Sequence, residues 1–300
     1  MIRKMKTFFS KPEGAAYIFL LPSFLVFSIF IILPLLASLV LGTFTLDIFL
    51  QKITFRGIAN FQRILTDERF WNALRNTFYF TAVEMPFQVI LALGVAVYVQ
   101  KNSFFRKLVR SVFFVPVVCS LTAMGIVWSM LLDPSLGIYP YFLRMIGLPG
   151  LAFLKDPFLA MPSVILMTVW KNFGFSMVIL VAGIQAIPDT YYEAARMDGA
   201  GKWRQFRDVT VPLLIPALGF CVITNTIGSL QVFDQVYVMT QGGPLFRTET
   251  LVQYIYNRGF RIAPFDLGYA SAIAEVLFVM IAAVTLALYR SFIKKETADV

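Results

Sequence analysis

Thr77, Thr81, Glu84 and Gln88 follow one another at steps of four, three and four residues. A helix would carry them as one polar stripe beside Pro86, through an otherwise apolar run. Similar islands recur further along: Lys171, Asn172 and Ser176, then Asn225 and Ser229 with Gln231 close by, then Ser271 and Glu275 on one face. Amides, hydroxyls and carboxylates in such a setting hold a polar ligand or tie helices together, because each is costly to leave in lipid without a partner. They do not form a catalytic set. The chain has no His, and its two cysteines, Cys119 and Cys221, both lie inside apolar runs. Neither a His-based metal site nor a Ser-His-Asp triad can be built from these residues. Gly199-Ala200-Gly201-Lys202 superficially resembles a phosphate loop. However, Arg196 stands where the first Gly belongs, and Trp203 replaces the Ser or Thr that would hold magnesium. The chain is expected to bind no cofactor and to catalyse no reaction itself.

The elements that must position these residues are membrane helices. Of 300 residues, 58% are hydrophobic and 14% charged, against roughly 25% charged in a soluble domain. A helix crossing the hydrocarbon core needs about 20 mainly apolar residues. Six stretches qualify, near 15–42, 77–99, 109–131, 159–186, 211–232 and 266–290, and none has the short alternating pattern of a β-barrel strand. The charged start MIRKMKTFFSK precedes an apolar run too long for a signal peptide, so it reads as an uncleaved first span. The expected fold class is an all-α membrane protein of six transmembrane helices. It forms a single domain over 1–300 with its core at about 70–290.

Basic residues set the orientation. Arg3, Lys4, Lys6 and Lys11 fall on one side with Lys101, Arg106, Lys107 and Arg110, then Arg196, Lys202, Arg204 and Arg207, and finally Arg290, Lys294 and Lys295. The other side spreads ten over three longer loops. The denser side is expected to be cytoplasmic, with both termini inside. This bias alone explains the net charge of +9, and no nucleic acid is implied. On the outer side, Ile58, Phe61, Ile64 and Leu65 share a helical face suited to the membrane interface. The loop 132–158 is punctuated by Pro and Gly, and Thr240-Gln-Gly-Gly-Pro244 reads as a turn of low specificity.

Glu193 to Pro212, EAARMDGAGKWRQFRDVTVP, is a charged, glycine-broken island between two spans on the basic side. Thr190 is expected to cap a short helix from Tyr191 with Glu193 at its third position. Gly199 and Gly201 end that helix. A second amphipathic piece then carries Trp203, Phe206 and Val209 on one face, and Pro212 opens the next span. The expected shape is a helix–turn–helix knob that can seat in a socket on a soluble partner.

The spacing Glu193-Ala194-Ala195, Gly199, Val209, Val211, Pro212 resembles the EAA loop of binding-protein-dependent ABC importer permeases, with Val where the family more usually has Ile and Leu. The longer stretches PDTYYEAARMDGAGKWRQFRDVTVPLLIP, VFDQVYVMTQGGP and TETLVQYIYNRGF resemble the maltose-type carbohydrate permeases. The likeness is to the larger maltose permease and to the glycerol-3-phosphate permease. What this resemblance implies is a type I importer in a bacterial or archaeal inner membrane. It would comprise a second homologous permease, two ATPase subunits that bind ATP and Mg, and an extracytoplasmic solute-binding protein. The loop 188–211 would couple to the ATPase through Glu193, Ala194, Ala195, Asp198 and Gly199. The resemblance places the ligand cavity partly on the fifth span.

Within that expectation, Asn225, Ser229, Lys171, Asn172 and Ser176 are the candidate substrate residues, and Glu84, Gln88 and Glu275 are intramembrane polar groups that also suit helix-to-helix contacts. Lys171 lies about twelve residues into the fourth span, near the bilayer midplane at about 1.5 Å per residue. It is expected either to pair with Glu84 or Glu275 or to face a wet cavity. The expected cargo is a carbohydrate, mono- or oligosaccharide. The alternative is an anionic one, such as glycerol-3-phosphate or a uronate, drawn by Lys171. An ATP-independent channel or secondary transporter would need inverted repeats that the sequence does not display, and would leave the island unexplained.

Overall fold

A computed structural model describes residues 12–46, 53–100 and 103–292. Arg3, Lys4, Lys6, Lys11, Lys101, Lys294 and Lys295, counted above toward the basic side, lie outside the described residues. Among those described, four helices are long and apolar enough to cross a membrane. Two bent pairs raise the number to six if each pair is one span. The chain divides into two compact units, residues 1–66 with 255–276 and residues 67–254 with 277–300.

In the first unit, α1 (Pro12–Phe27) runs through a π-helical turn at Ser28–Ile32 into α2 (Leu33–Leu41). Side chains from Phe19 onward are almost all exposed, as suits a helix whose solvent is lipid. A short hairpin follows, β1 (Phe44–Thr45) pairing antiparallel with β2 (Thr54–Phe55), and then α3 (Ala59–Thr66). Asn60 Nδ2 donates to the carbonyls of Gly42 (2.9 Å) and Phe44 (2.8 Å), stapling α3 to the hairpin. Of the expected interfacial stripe, Ile64 is buried, while Ile58 and Leu65 remain exposed. Arg63 bonds Asp266 at 2.9 Å and lies 4.0 Å over the Tyr269 ring. The last helix, α15 (Leu267–Phe292), begins in this unit. It starts so close to the hairpin that a Cβ on Gly268 would collide with the Phe44 carbonyl.

The second unit is built around α4 (Glu68–Val99) and α8 (Ala160–Gln185). Asp67 caps α4 by accepting from the amides of Arg69 (3.0 Å) and Phe70 (3.3 Å). α4 therefore starts nine residues before the expected span at 77. Ala92 and Ala96 of α4 pack into one cluster with Phe173, Met177, Leu180 and Val181 of α8. A second cluster joins Phe80, Met161, Val164, Met167, Trp128 and Val236. The expected third span is broken, with α5 (Phe104–Val118) and α6 (Leu121–Leu131) meeting at 100°. Pro116 lacks the amide that would bond back along the helix, and Cys119 is extended, so the axis turns there. Next come α7 (Ile138–Met145) in the outer loop and α9 (Asp189–Met197) in the island. α10 (Lys202–Gln205), a π-helical turn at Phe206–Thr210 and α11 (Val211–Leu213) then lead, at 67°, into α12 (Ile215–Leu230).

After α13 (Asp234–Met239) and before α14 (Leu251–Tyr256), the 240–250 loop is more specific than its glycines suggested. Gln241, Leu245 and Phe246 have φ of 53°, 51° and 58°, values that L-residues keep only when their surroundings over-determine them. Arg69 grips Glu249 with two bonds of 2.7 Å, and Asn76 Nδ2 donates to the carbonyls of Phe246 (2.8 Å) and Glu249 (2.9 Å).

Candidate functional site

Two members of the α4 polar stripe, Glu84 and Gln88, reach a cavity of about 230 Å³ inside the second unit. Glu84 and Gln88 line it with Phe80 from α4, and Thr168 and Asn172 come from α8. α12 contributes Thr224, Asn225, Gly228 and Ser229, and the turn into α13 supplies Gln231 to Gln235. Glu84 is 3% exposed and Gln88 2%, and Gln88 Oε1 has no hydrogen-bond partner among the described residues. A buried amide oxygen left open beside a cavity is an acceptor available to a ligand hydroxyl. Asn225 is held in place, because its Nδ2 donates to Ser176 Oγ at 3.0 Å. Its carbonyl oxygen is not engaged by that bond. Phe233 adds ring surface at the same cavity, with Phe80 packed in the core behind it. The lining therefore offers amides, hydroxyls, aromatic faces and the two carboxylates Glu84 and Asp234, with no Lys or Arg. Such a set suits a ligand rich in hydroxyl groups.

Asn225, Ser229 and Asn172 thus come together as expected, joined by Glu84 and Gln88. Ser176 stands behind the lining and orients Asn225. Lys171 also stands behind it: Nζ donates to the Val117 carbonyl at 3.2 Å and to Asn172 Oδ1 at 3.4 Å. These neutral acceptors stand where the sequence left open either a carboxylate partner, Glu84 or Glu275, or a wet cavity. Glu275 lies in the first unit, its carboxylate pressed against the backbone of Gly42. Thr77 is committed to the fold, donating to Ala73 O (2.9 Å) and accepting from Leu251 N (2.9 Å). Thr168, Thr224, Phe233, Asp234 and Gln235 were not anticipated. The last three lie past the apolar run that ends near 232, where polarity carries no signal.

The island forms the expected knob with one correction. α9 starts at Asp189 after Pro188, which makes no side-chain cap, so Thr190 is inside the helix instead of capping it. The far end is a full Schellman closure: Ala200 N bonds Ala195 O (2.8 Å), Gly199 N bonds Arg196 O (3.0 Å), and Gly199 has φ of 75°. Gln205 Nε2 reaches Ala200 O (2.7 Å) and Tyr192 meets Thr210 (3.0 Å), fixing the two arms of the knob to each other. Glu193 is exposed. So are Met197 at 88% and Trp203 at 72%.

A family model described as the binding-protein-dependent transport system inner membrane component matches residues 88–296. The chain belongs to that family. This permease is 36% identical over 271 residues to the lactose transport system permease protein LacF of Rhizobium radiobacter, covering 89% of this chain and 90% of the relative. It is 32% identical over 278 residues to the trehalose/maltose transport system permease protein MalF of Thermococcus litoralis, covering 90% of each. Its fold matches the crystal structure of a bacterial ABC transporter involved in the import of the acidic polysaccharide alginate. That match has a TM-score of 0.82 and 24% identity, and covers 96% of this chain and 98% of the other. The type I importer permease fold expected from the EAA-like loop is the one found. Permease subunits of this family are not enzymes, and ATP is hydrolysed by separate subunits.

Proposed function

We propose that this permease forms, with a second permease, the pathway of an ATP-driven importer for a neutral carbohydrate delivered by an extracytoplasmic binding protein. The observation that carries the reading is the cavity lining, with hydroxyl and amide partners, two carboxylates and no basic side chain. Sugar hydroxyls can donate to Glu84 and Gln88 Oε1 and accept from Asn225 or Asn172, while Phe233 packs on an apolar ring face. An anionic sugar would meet carboxylates and no counter-charge, since the Lys171 ammonium is occupied by Val117 and Asn172. The lactose and trehalose/maltose relatives support the same substrate class.

In this reading both termini and the knob lie on the cytoplasmic side of a bacterial or archaeal inner membrane, and residues 1–300 act as one membrane domain. Glu193, Ala194, Ala195, Asp198 and Gly199 dock the knob in a cleft of the ATPase, which holds ATP and Mg, so that closure of the ATPase pair moves the attached helices. The test has two parts. Purified binding protein is screened against neutral and uronic oligosaccharides, and uptake of the bound sugar is measured in the complete importer. A neutral sugar is expected, whereas transport confined to uronates or sugar phosphates defeats the substrate reading. Glu193→Lys should abolish uptake and lower ATPase co-purification with membrane insertion intact; normal uptake defeats the coupling reading.

A further inference from the structure

We propose that Lys171 is a tethered cation that closes the mid-span break between α5 and α6 and thereby positions the cavity wall. α5 ends at Val118, Cys119 is extended, and α6 leaves at 100°. In an unbroken helix the Val117 carbonyl would accept from the amide of Leu121, which here belongs to the departing helix. The break leaves a carbonyl without its helical donor at the negative end of a helix dipole. Broken membrane helices use such ends to hold cations. Here the cation arrives on a side chain, with Lys171 Nζ 3.2 Å from Val117 O.

The packing of α8 on α5 delivers it there. A Cβ on Gly174 would collide with the Phe113 carbonyl, so the two backbones touch at that level. Three residues back along α8 and four forward along α5, the same contact brings Lys171 to Val117. The ammonium also donates to Asn172 Oδ1 at 3.4 Å. Leu121, the first residue of α6, and Asn172 both line the cavity. One charge therefore sets the wall on both sides of the break, whichever sugar passes.

Cys119, in the break itself and partly buried, is a native reporter, whereas Cys221 is fully buried. The assembled importer in native membranes is treated with N-ethylmaleimide, and modification of Cys119 is followed by peptide mass. Lys171→Met keeps bulk without charge and should label about tenfold faster, as expected for losing one charge-assisted hydrogen bond. Lys171→Arg should label at the wild-type rate. Lys171→Ala should label fast and regain protection with n-propylammonium chloride more than with n-propanol. This arm compares one protein with itself and holds whatever the yield of the Met variant. Wild-type labelling in Lys171→Met, equal exposure in the Arg and Met variants, or propylammonium no better than propanol overturns the proposal.

Discussion

Asn225 is both a cavity residue and a residue with a dedicated support, which separates two effects at the scale of single side chains. Asn225→Ala removes an amide from the lining and should lower uptake efficiency roughly tenfold, the worth of one well-made polar contact. Ser176→Ala removes only the group that receives Asn225 Nδ2 and should cost several-fold less. Concentration-dependent uptake by the two variants checks this, and equal losses would place Ser176 in contact with sugar. Asn225, Ser229, Asn172, Glu84 and Gln88 were legible in the sequence for one reason: a polar side chain in an apolar run must find a partner or a cavity. Lys171 was legible as anomalous but its partner was not, since a backbone carbonyl released by a bend has no residue type to betray it. Asp234 and Gln235 were invisible for the opposite reason, lying where polar residues are ordinary.

At the scale of elements, the knob was legible nearly whole, because glycine at a helix end with positive φ is a local requirement that its own sequence states. Among the described residues nothing lies within 4 Å of a Cβ built on Gly199, so a side chain there meets only backbone strain at φ of 75°. Gly199→Ala should cost about 1–2 kcal/mol of local stability. It should also reduce uptake several-fold by fraying the end of α9, with Gly199→Asn closer to wild type. Uptake together with ATPase co-purification checks the order, and an Ala variant equal to wild type would show that the closure is dispensable. The 100° turn between α5 and α6 was not legible from hydropathy, which is blind to direction: 109–131 is apolar but for Arg110 and a few hydroxyl residues, and only Pro116 marks where the axis fails. The same blindness hides α13, whose apolar residues Val236 and Met239 fall between the expected spans that end at 232 and begin at 266.

At the scale of the whole molecule, the proposed orientation makes a simple demand. Cysteines placed singly at Phe105 and Lys202 should react with an impermeant maleimide only from the cytoplasmic side, and one at Met145 only from outside. External labelling at 202 would invert the topology and detach the knob from any ATPase. Four spans and their approximate limits came through from hydropathy, six if each bent pair is one span, whereas the length of α4 did not, since its first nine residues are polar enough to pass for loop. That length matters. α4 grips Glu249 through Arg69 near its first turn and carries Glu84 and Gln88 about 22–28 Å further on, at about 1.5 Å per residue. One shaft thus has a handle at one end and a tool at the other. Whatever presses on the 240–250 loop turns the cavity wall directly, and only Pro86, where a rung of the shaft is missing, gives it play.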